Sequence, residues 1–485
     1  MTLPIPVASE ADVLARLAHS SQSPQSPVWP LSRFFSWLVE RAAARAFTVE
    51  QMPLAKMDQW STDSETGNIG HRSGRFFTIE GLKVESDLPW VTNWVQPIIV
   101  QPEVGVLGIL IKEIGGVLHC LMHAKMEPGN VNVVQLSPTV QATRSNYMGV
   151  HAGAAVPYLD YFRPNGRSRV IVDVLQPEQG SWFYQKKNRN IVVETDDDVE
   201  VGEDFCWLTL GQLTQLLHWD DIVNMDTRTV LSCIPSAEDV DARGESTLRG
   251  EPRSFSEEIR HSFAALQRGH HTLREVLGWL SEQRSRRVVI QRRVPLRQID
   301  DGGWRRSDEL IAHESGRYFQ VVGVDVVAGG REVGSWQQPL LAPIETGLLA
   351  LIARRVDGLL HVLVQARIEA GSPNAVEMAP TVHCQPINYQ DRPPEARPRF
   401  LDAVLDAPAE SIRYDVIQSE EGGRFFHARN RCMVVEVGDD FPLEAPDHYM
   451  WATLGQLSAL LSHGSYMNVE LRTLVACAKA LGQRS

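Results

Sequence analysis

Residues 125–147 read KMEPGNVNVVQLSPTVQATRSNY and follow directly on the apolar run GVLHCLMHA. Lys125 and Arg144 are cations, and Glu127 is a carboxylate. Asn132, Gln135 and Asn146 are amides, while Ser137, Thr139 and Tyr147 bring hydroxyls. A solvated loop is the plain reading of so polar a run. The other reading is a grip on an anionic, hydroxyl-rich ligand, because cations and amides on one segment make charge-assisted hydrogen bonds to phosphate and sugar oxygens.

The segment recurs. GVLHCLMHAKMEPGNVNVVQLSPTV aligns with GLLHVLVQARIEAGSPNAVEMAPTV at the spacing that carries HRSGRFFTIEGLKV (71–84) onto HESGRYFQVVGVDV (313–326). DVLQPEQGSWFYQKKNRNIVVE (173–194) and DVIQSEEGGRFFHARNRCMVVE (415–436) match in the same register. Near the end it slips by two residues, where WLTLGQL (207–213) meets WATLGQL (451–457). A self-match this long means two copies of one domain. We read 1–30 as an N-terminal extension, 31–235 as the first copy, 236–258 as a linker rich in charge, Ser, Gly and Pro, and 259–485 as the second copy.

Polar residues kept in both copies, such as Glu127/Glu369, Asn132/Asn374, Thr139/Thr381, Asn188/Asn430 and Arg189/Arg431, close turns and cap strands as readily as they bind ligands. His119 and His361, inside apolar runs, read as satisfied core histidines. Differences between the copies matter as much. Lys125, Arg144 and Lys186 of the first face Arg367, Pro386 and Ala428 of the second, so the first copy is the better candidate for a working site and the second for a vestigial pocket.

The elements that must position these residues are α+β. Strands are expected at RFFTIEGLKV, VGVLGILIKE, GVLHCLMHA and RNIVVET. Helices are expected at SRFFSWLVERAAARA, at EEIRHSFAALQRGHHTLREVLGWLSEQ and behind Thr209 as N-cap in TLGQLTQLLHW. The composition, 43% apolar and 22% charged with a net charge of −13, fits a soluble globular protein and argues against nucleic-acid binding. No apolar run is long enough to span a bilayer, and no secretory signal is evident. Six scattered cysteines without a CxxC pair read as buried free thiols in a reducing cytoplasm, not as a disulfide framework or zinc site. Dinucleotide, Walker, GxSxG and HExxH fingerprints are absent, and QSEEGGRF (418–425) is only a faint likeness to an acidic metal cluster.

With these strings on the page, the chain resembles the nucleoside-diphosphate-hexose 2,3-dehydratases. The motifs carrying the resemblance are GHRSGRFFTIEG, QPIIVQPEVGVLG, LMHAKMEPGNVNVVQLSPTVQATRSNY, DVLQPEQGSWFYQKKNRN and VNMDTRTVL in the first copy. REVGSWQQPLLAP, SEEGGRFFHARNR and ATLGQL carry it in the second. The resemblance implies a tandem of Nudix-like α/β/α sandwich domains, a homodimer, no metal and no cofactor. It implies dTDP-4-keto-6-deoxyglucose as substrate and a separate 3-ketoreductase downstream. It also implies base or acid roles for Glu127, Glu178 and Tyr147, with Lys125 or Asn132 polarising the ketone. Arg144, Lys186 and Arg189 would meet the diphosphate, and Trp182, Phe183 or Tyr184 the thymine. Gln135, Ser137, Thr139, Asn146 and Asn188 complete the expected binding set, and Arg367, Glu369, Tyr389, Glu420, Arg424, Asn430 and Arg431 the second pocket. Metal-dependent hydrolysis of a nucleotide sugar and non-catalytic sensing are the alternatives.

Overall fold

The computed structural model describes residues 10–88, 91–143, 156–164, 168–235, 253–329 and 334–483. Each copy is built on a seven-stranded mixed sheet. In the first, Arg169–Pro177, Lys187–Glu194, Gly105–Ile114, Val117–Met126 and Phe205–Thr209 lie side by side. Val134–Ser137 and Val140–Ala142 add at the open ends. Lys187–Glu194 runs parallel to Gly105–Ile114 and the other pairs are antiparallel. The second copy repeats the plan with Ile412–Ser419, Arg429–Val437, Gly347–Val356 and Leu359–Ile368.

These central strands read as unbroken apolar runs because both faces are covered. Leu107, Ile109 and Ile111 enter one core with Phe34, Trp37, Leu213 and Val230 from helices. Val106, Leu110 and Leu121 enter another with Phe162, Ile191 and Trp207. The expected helix behind Thr209 spans Leu210–Leu216. Thr209 and Gln212 form a reciprocal capping box, and Thr453 and Gln456 repeat it.

Two boundaries differ from the sequence reading. Helix Phe255–Ala264 begins inside the stretch read as linker, capped by Ser254, and the long helical pattern breaks before a second helix at Leu273–Ser285. Helix Glu10–Ser21, inside the presumed extension, is its counterpart in the first copy. Ser20 donates to Leu118 O and accepts from Leu210 N, as Ser262 does with Leu360 O and Leu454 N. Both segments therefore belong to the repeat.

The copies are tied together by exchange. Strand Thr78–Leu88 heads a small sheet with Val91–Val100, Ile69–His71 and Trp60–Thr62, and its other edge is taken by Val289–Val294 from the second half of the chain. Reciprocally, Phe47–Met52 pairs with Phe319–Ala328 of the second copy. Trp60, Phe77, Phe183, Trp304, Phe319 and Phe425 from both copies share one core between the small sheets. Helix Met225–Cys233 also packs on Val469–Gly482. His119 and His361 are the satisfied core residues expected. His119 meets Val117 O and Ser26 Oγ, and burial pushes His361 down to about 4. All six cysteines are free. Among the described residues, no helix is long and apolar enough to cross a membrane.

Since each half completes its partner's sheet, fragments separated within 236–252 are expected to aggregate when produced singly and to purify as a one-to-one complex when co-expressed. Affinity capture through a tag on one fragment checks this.

Candidate functional site

The strand Val117–Met126 carries Lys125 at its end, and Glu127 opens the loop beyond it. That loop is pinned by Glu127 N to Val133 O and Val133 N to Asn130 O. It places the β-branched Val133 at φ 65°, a conformation that surrounding contacts must enforce. Lys125 Nζ is 3.2 Å from Glu127 Oε1, which also accepts from Gln141 Nε2 at 2.9 Å. Gln141 in turn accepts from Ser137 Oγ and Asn224 Nδ2. Asn224 caps helix Met225–Cys233, whose first turn brings in the buried Asp226.

Two further groups arrive from the mouth of the loop after strand Arg169–Pro177. Glu178 Oε1 accepts from Asn188 Nδ2 at 2.8 Å, and Lys186 donates to Glu103 O. Both are buried.

The second copy completes this site. Its loop 420–427 crosses over so that Gly129 N donates to Gly422 O at 2.7 Å and His427 N to Gly129 O at 2.8 Å. A Cβ on Gly129 would lie 1.7 Å from Phe425 O, so only glycine permits the approach. The loop carries Glu421 and Arg424 to the first copy's acids. Arg424 also donates to Gln101 Oε1 and stacks over Phe77. The first copy returns the arrangement: Gly371 N donates to Gly180 O, and Ser181 Oγ reaches Glu369 Oε1 at 3.2 Å.

Glu127, Glu178, Asp226 and Glu421 thus gather around Lys125, Lys186 and Arg424. Burial, reinforced by Glu421, lifts Glu178 to about 7 against the pull of Arg472 and Lys186. Burial raises Asp226 well above the usual carboxylate range, and Glu421, Glu178 and Glu127 add to it. Glu421 is raised by burial and by Glu127. Burial lowers Lys186. An ion-paired Glu127 thus shares one cluster with Asp226, whose carboxyl burial pushes well above the usual range.

Of the residues expected from sequence, the structure brings together Lys125, Glu127, Glu178, Lys186 and Asn188, with Ser137 one hydrogen bond away through Gln141. It places others elsewhere. Asn132 donates to Asp221 O and accepts from Gln135, whose Oε1 takes a bond from Ser419. Thr139 links Leu121 O to Leu110 N. Arg189 pairs with Asp173 on the outer strands, as Arg431 does with Asp415. Trp182 packs on Phe425 and is half-buried, whereas Phe183 is core. Arg144, Asn146 and Tyr147 lie outside the described residues.

In the second pocket Arg367, Glu369, Tyr389, Glu420 and Asn430 do cluster, whereas Arg424 joins the first copy's site. Gln141, Asp226 and Glu421 escaped the sequence reading. Asp226 matches Glu470, not an aspartate, and does so past the two-residue slip, so a fixed-spacing search passes over it. Glu421 stands in QSEEGGRF, and apart from Arg424 the charged groups near its carboxyl are Glu127, Lys186 and Lys125 of the first copy.

Comparison with known proteins now bears on this cluster. The family model for NDP-hexose 2,3-dehydratase matches residues 31–234 and again 273–478. The chain belongs to this family. It is 49% identical over 471 residues to a dTDP-4-dehydro-6-deoxy-alpha-D-glucopyranose 2,3-dehydratase of Saccharopolyspora spinosa, covering 96% of this chain and 95% of that one. Enzymes of the same name from Amycolatopsis orientalis and Streptomyces violaceoruber are 50% and 48% identical. They cover 92% of this chain in each case and 89% and 97% of their own lengths. In this dehydratase family member, both matched stretches contribute to the cluster around Glu127.

A raised carboxyl stabilises the fold while it keeps its proton. Glu178's contribution is present below about 4.5 and lost as pH rises through about 7. Relative to wild type, Glu178→Gln is therefore expected to gain stability between about pH 5 and pH 8, measured by urea unfolding at both values.

Proposed function

We propose that the cluster around Glu127 carries out the 2,3-dehydration of dTDP-4-keto-6-deoxyglucose. The observation that carries this reading is the Lys125–Glu127 ion pair, linked through Gln141 to the Asn224 cap of the helix that holds buried Asp226. The ketone at carbon 4 acidifies the hydrogen at carbon 3. Glu127 takes that proton, and the electron pair flows into the carbonyl as an enolate steadied by Lys125. The enolate re-forms the ketone, and the bond from carbon 2 to its hydroxyl breaks. Asp226 gives its proton to the departing oxygen, so water leaves. The resulting enol tautomerises to the 3,4-diketo-2,6-dideoxy sugar nucleotide, which takes its proton at carbon 2. Glu178, raised to about 7, is the second group able to exchange protons near neutrality.

Lys186 and Arg424, cations beside the acids, fit the substrate diphosphate. The family and the mixed sheets support a Nudix-like sandwich for each copy. A homodimer, a cytoplasmic location and a separate 3-ketoreductase to consume the diketone complete the proposal. Asymmetry supports the first copy as the working one: Lys186 and Gln141 are replaced by Ala428 and His383 in the second.

Incubation with dTDP-4-keto-6-deoxyglucose in EDTA, coupled to a 3-ketoreductase and NADPH, is expected to yield a product that has lost one water and gained two hydrogens by mass spectrometry. Glu127→Gln is expected to lower kcat by roughly 10³ and Glu421→Gln by roughly 10². Glu369→Gln keeps turnover. Equal loss in Glu127→Gln and Glu369→Gln would instead assign the chemistry to both copies.

A further inference from the structure

In the second copy the positions of Glu127, Gln141 and Asp226 are held by Glu369, His383 and Glu470. Glu369 follows strand Leu359–Ile368, His383 lies on Val382–Cys384, and Glu470 sits in the first turn of helix Val469–Gly482. In the first copy Gln141 bonds Glu127 directly. Here the imidazole stands between two carboxylates without bonding either: Nδ1 is 3.5 Å from Glu369 Oε1, and Nε2 is 3.7 Å from Glu470 Oε1. One ligating atom from each of the three residues lies within 4.8 Å of the others. Both glutamates are 4% exposed, and Oε2 of each has no hydrogen-bond partner among the described residues. Glu369 Oε1 accepts from Arg367 Nε and Ser181 Oγ, and His383 Nδ1 is 3.4 Å from Asn468 Nδ2.

Glu377 and Glu420 are also buried within electrostatic reach, so four carboxylates stand against the three cations Arg228, Arg367 and Arg472. Such a surplus of dry carboxylate calls for protons or for a cation. We propose that Glu369, His383 and Glu470 form a site for one divalent transition-metal ion, of the zinc or cobalt(II) kind. Mixed imidazole and carboxylate donors favour these ions over magnesium or calcium, which take oxygen ligands. A neutral imidazole has one ring nitrogen free as an acceptor, and His383 places its two nitrogens toward Glu369 and Glu470. Arg367 then acts from outside the ligand set, orienting Glu369. The ion neutralises the buried acids of the second pocket, where His383 stands in place of the Gln141 that bonds Glu127 in the first.

The test is titration of EDTA-stripped, full-length protein with cobalt(II) and zinc, followed by desalting and metal analysis. One ion per chain is expected, with visible cobalt absorption and a raised Tm. His383→Gln and Glu470→Gln should each retain less than about a tenth of an equivalent, against the one ion per site expected of the intact ligand set. Failure of wild type to hold the ion, or retention by both variants as full as that of wild type, overturns the site. Should either variant fail to fold, anomalous diffraction from zinc-soaked wild-type crystals decides. A peak about 2.0–2.2 Å from a His383 ring nitrogen and from both carboxylates supports it, and a peak elsewhere or none refutes it.

Discussion

Arg228 and Arg472 are wholly buried, and each finishes the other copy's backbone. Arg228 donates to Val223 O in its own copy and to Ser419 O at the entrance of the second copy's loop. Arg472 donates to Met467 O and to Pro177 O at the entrance of the first copy's loop. Arg228 Nε reaches Thr473 and Arg472 Nε reaches Thr229, so the two side chains clasp across facing helices. A buried guanidinium is tolerated only when its donors are satisfied. The satisfying carbonyls stand immediately ahead of Glu178 and Glu420. The constraint that keeps the core dry also fixes where the crossing loops begin.

From that anchor the site's composition follows. The loops pass through gaps that only glycine leaves open, at Gly129 and Gly371, and deliver side chains of one copy to the acids of the other. The duplication is therefore not two independent sites side by side. Glu421 and Arg424 belong to one copy and reach the acids of the other, while Gln179 and Ser181 make the return contacts to Glu420 and Glu369. Crowding carboxylates with too few cations in a dry space raises some proton affinities and leaves others ion-paired. In the first copy the same crowding sets Asp226, raised by burial, among Glu421, Glu178 and Glu127. In the second it leaves two unbonded glutamate oxygens beside a histidine.

Much of this was legible from the chain. Unbroken apolar runs at VGVLGILIKE and GVLHCLMHA announced covered strands, Thr209 announced a helix start, and the internal match announced two copies. Lys125, Glu127, Glu178 and Lys186 stood out because charged residues bordering apolar strands have a short list of reasons to be there. Asn132, Thr139 and Arg189 looked equivalent to them in type, but they hold turns, strands and an outer ion pair. Polar residues used for folding and for binding have the same chemistry, so composition does not separate them.

The repeat, the strand periodicity, the helix caps and, through long motifs shared with a family, the class of reaction can all be read from the chain alone. Those are local or self-referential properties: alternation, capping and identity can be read within a window of residues. It took the folded chain to show that Val289–Val294 joins the first copy's sheet, that Glu421 and Arg424 reach the first copy's acids, and that Asp226 lies near Glu421. Pairings between residues some two hundred positions apart depend on which edge is left open and which loop finds a glycine gap. Those are properties of packed surfaces that no stretch of sequence carries alone.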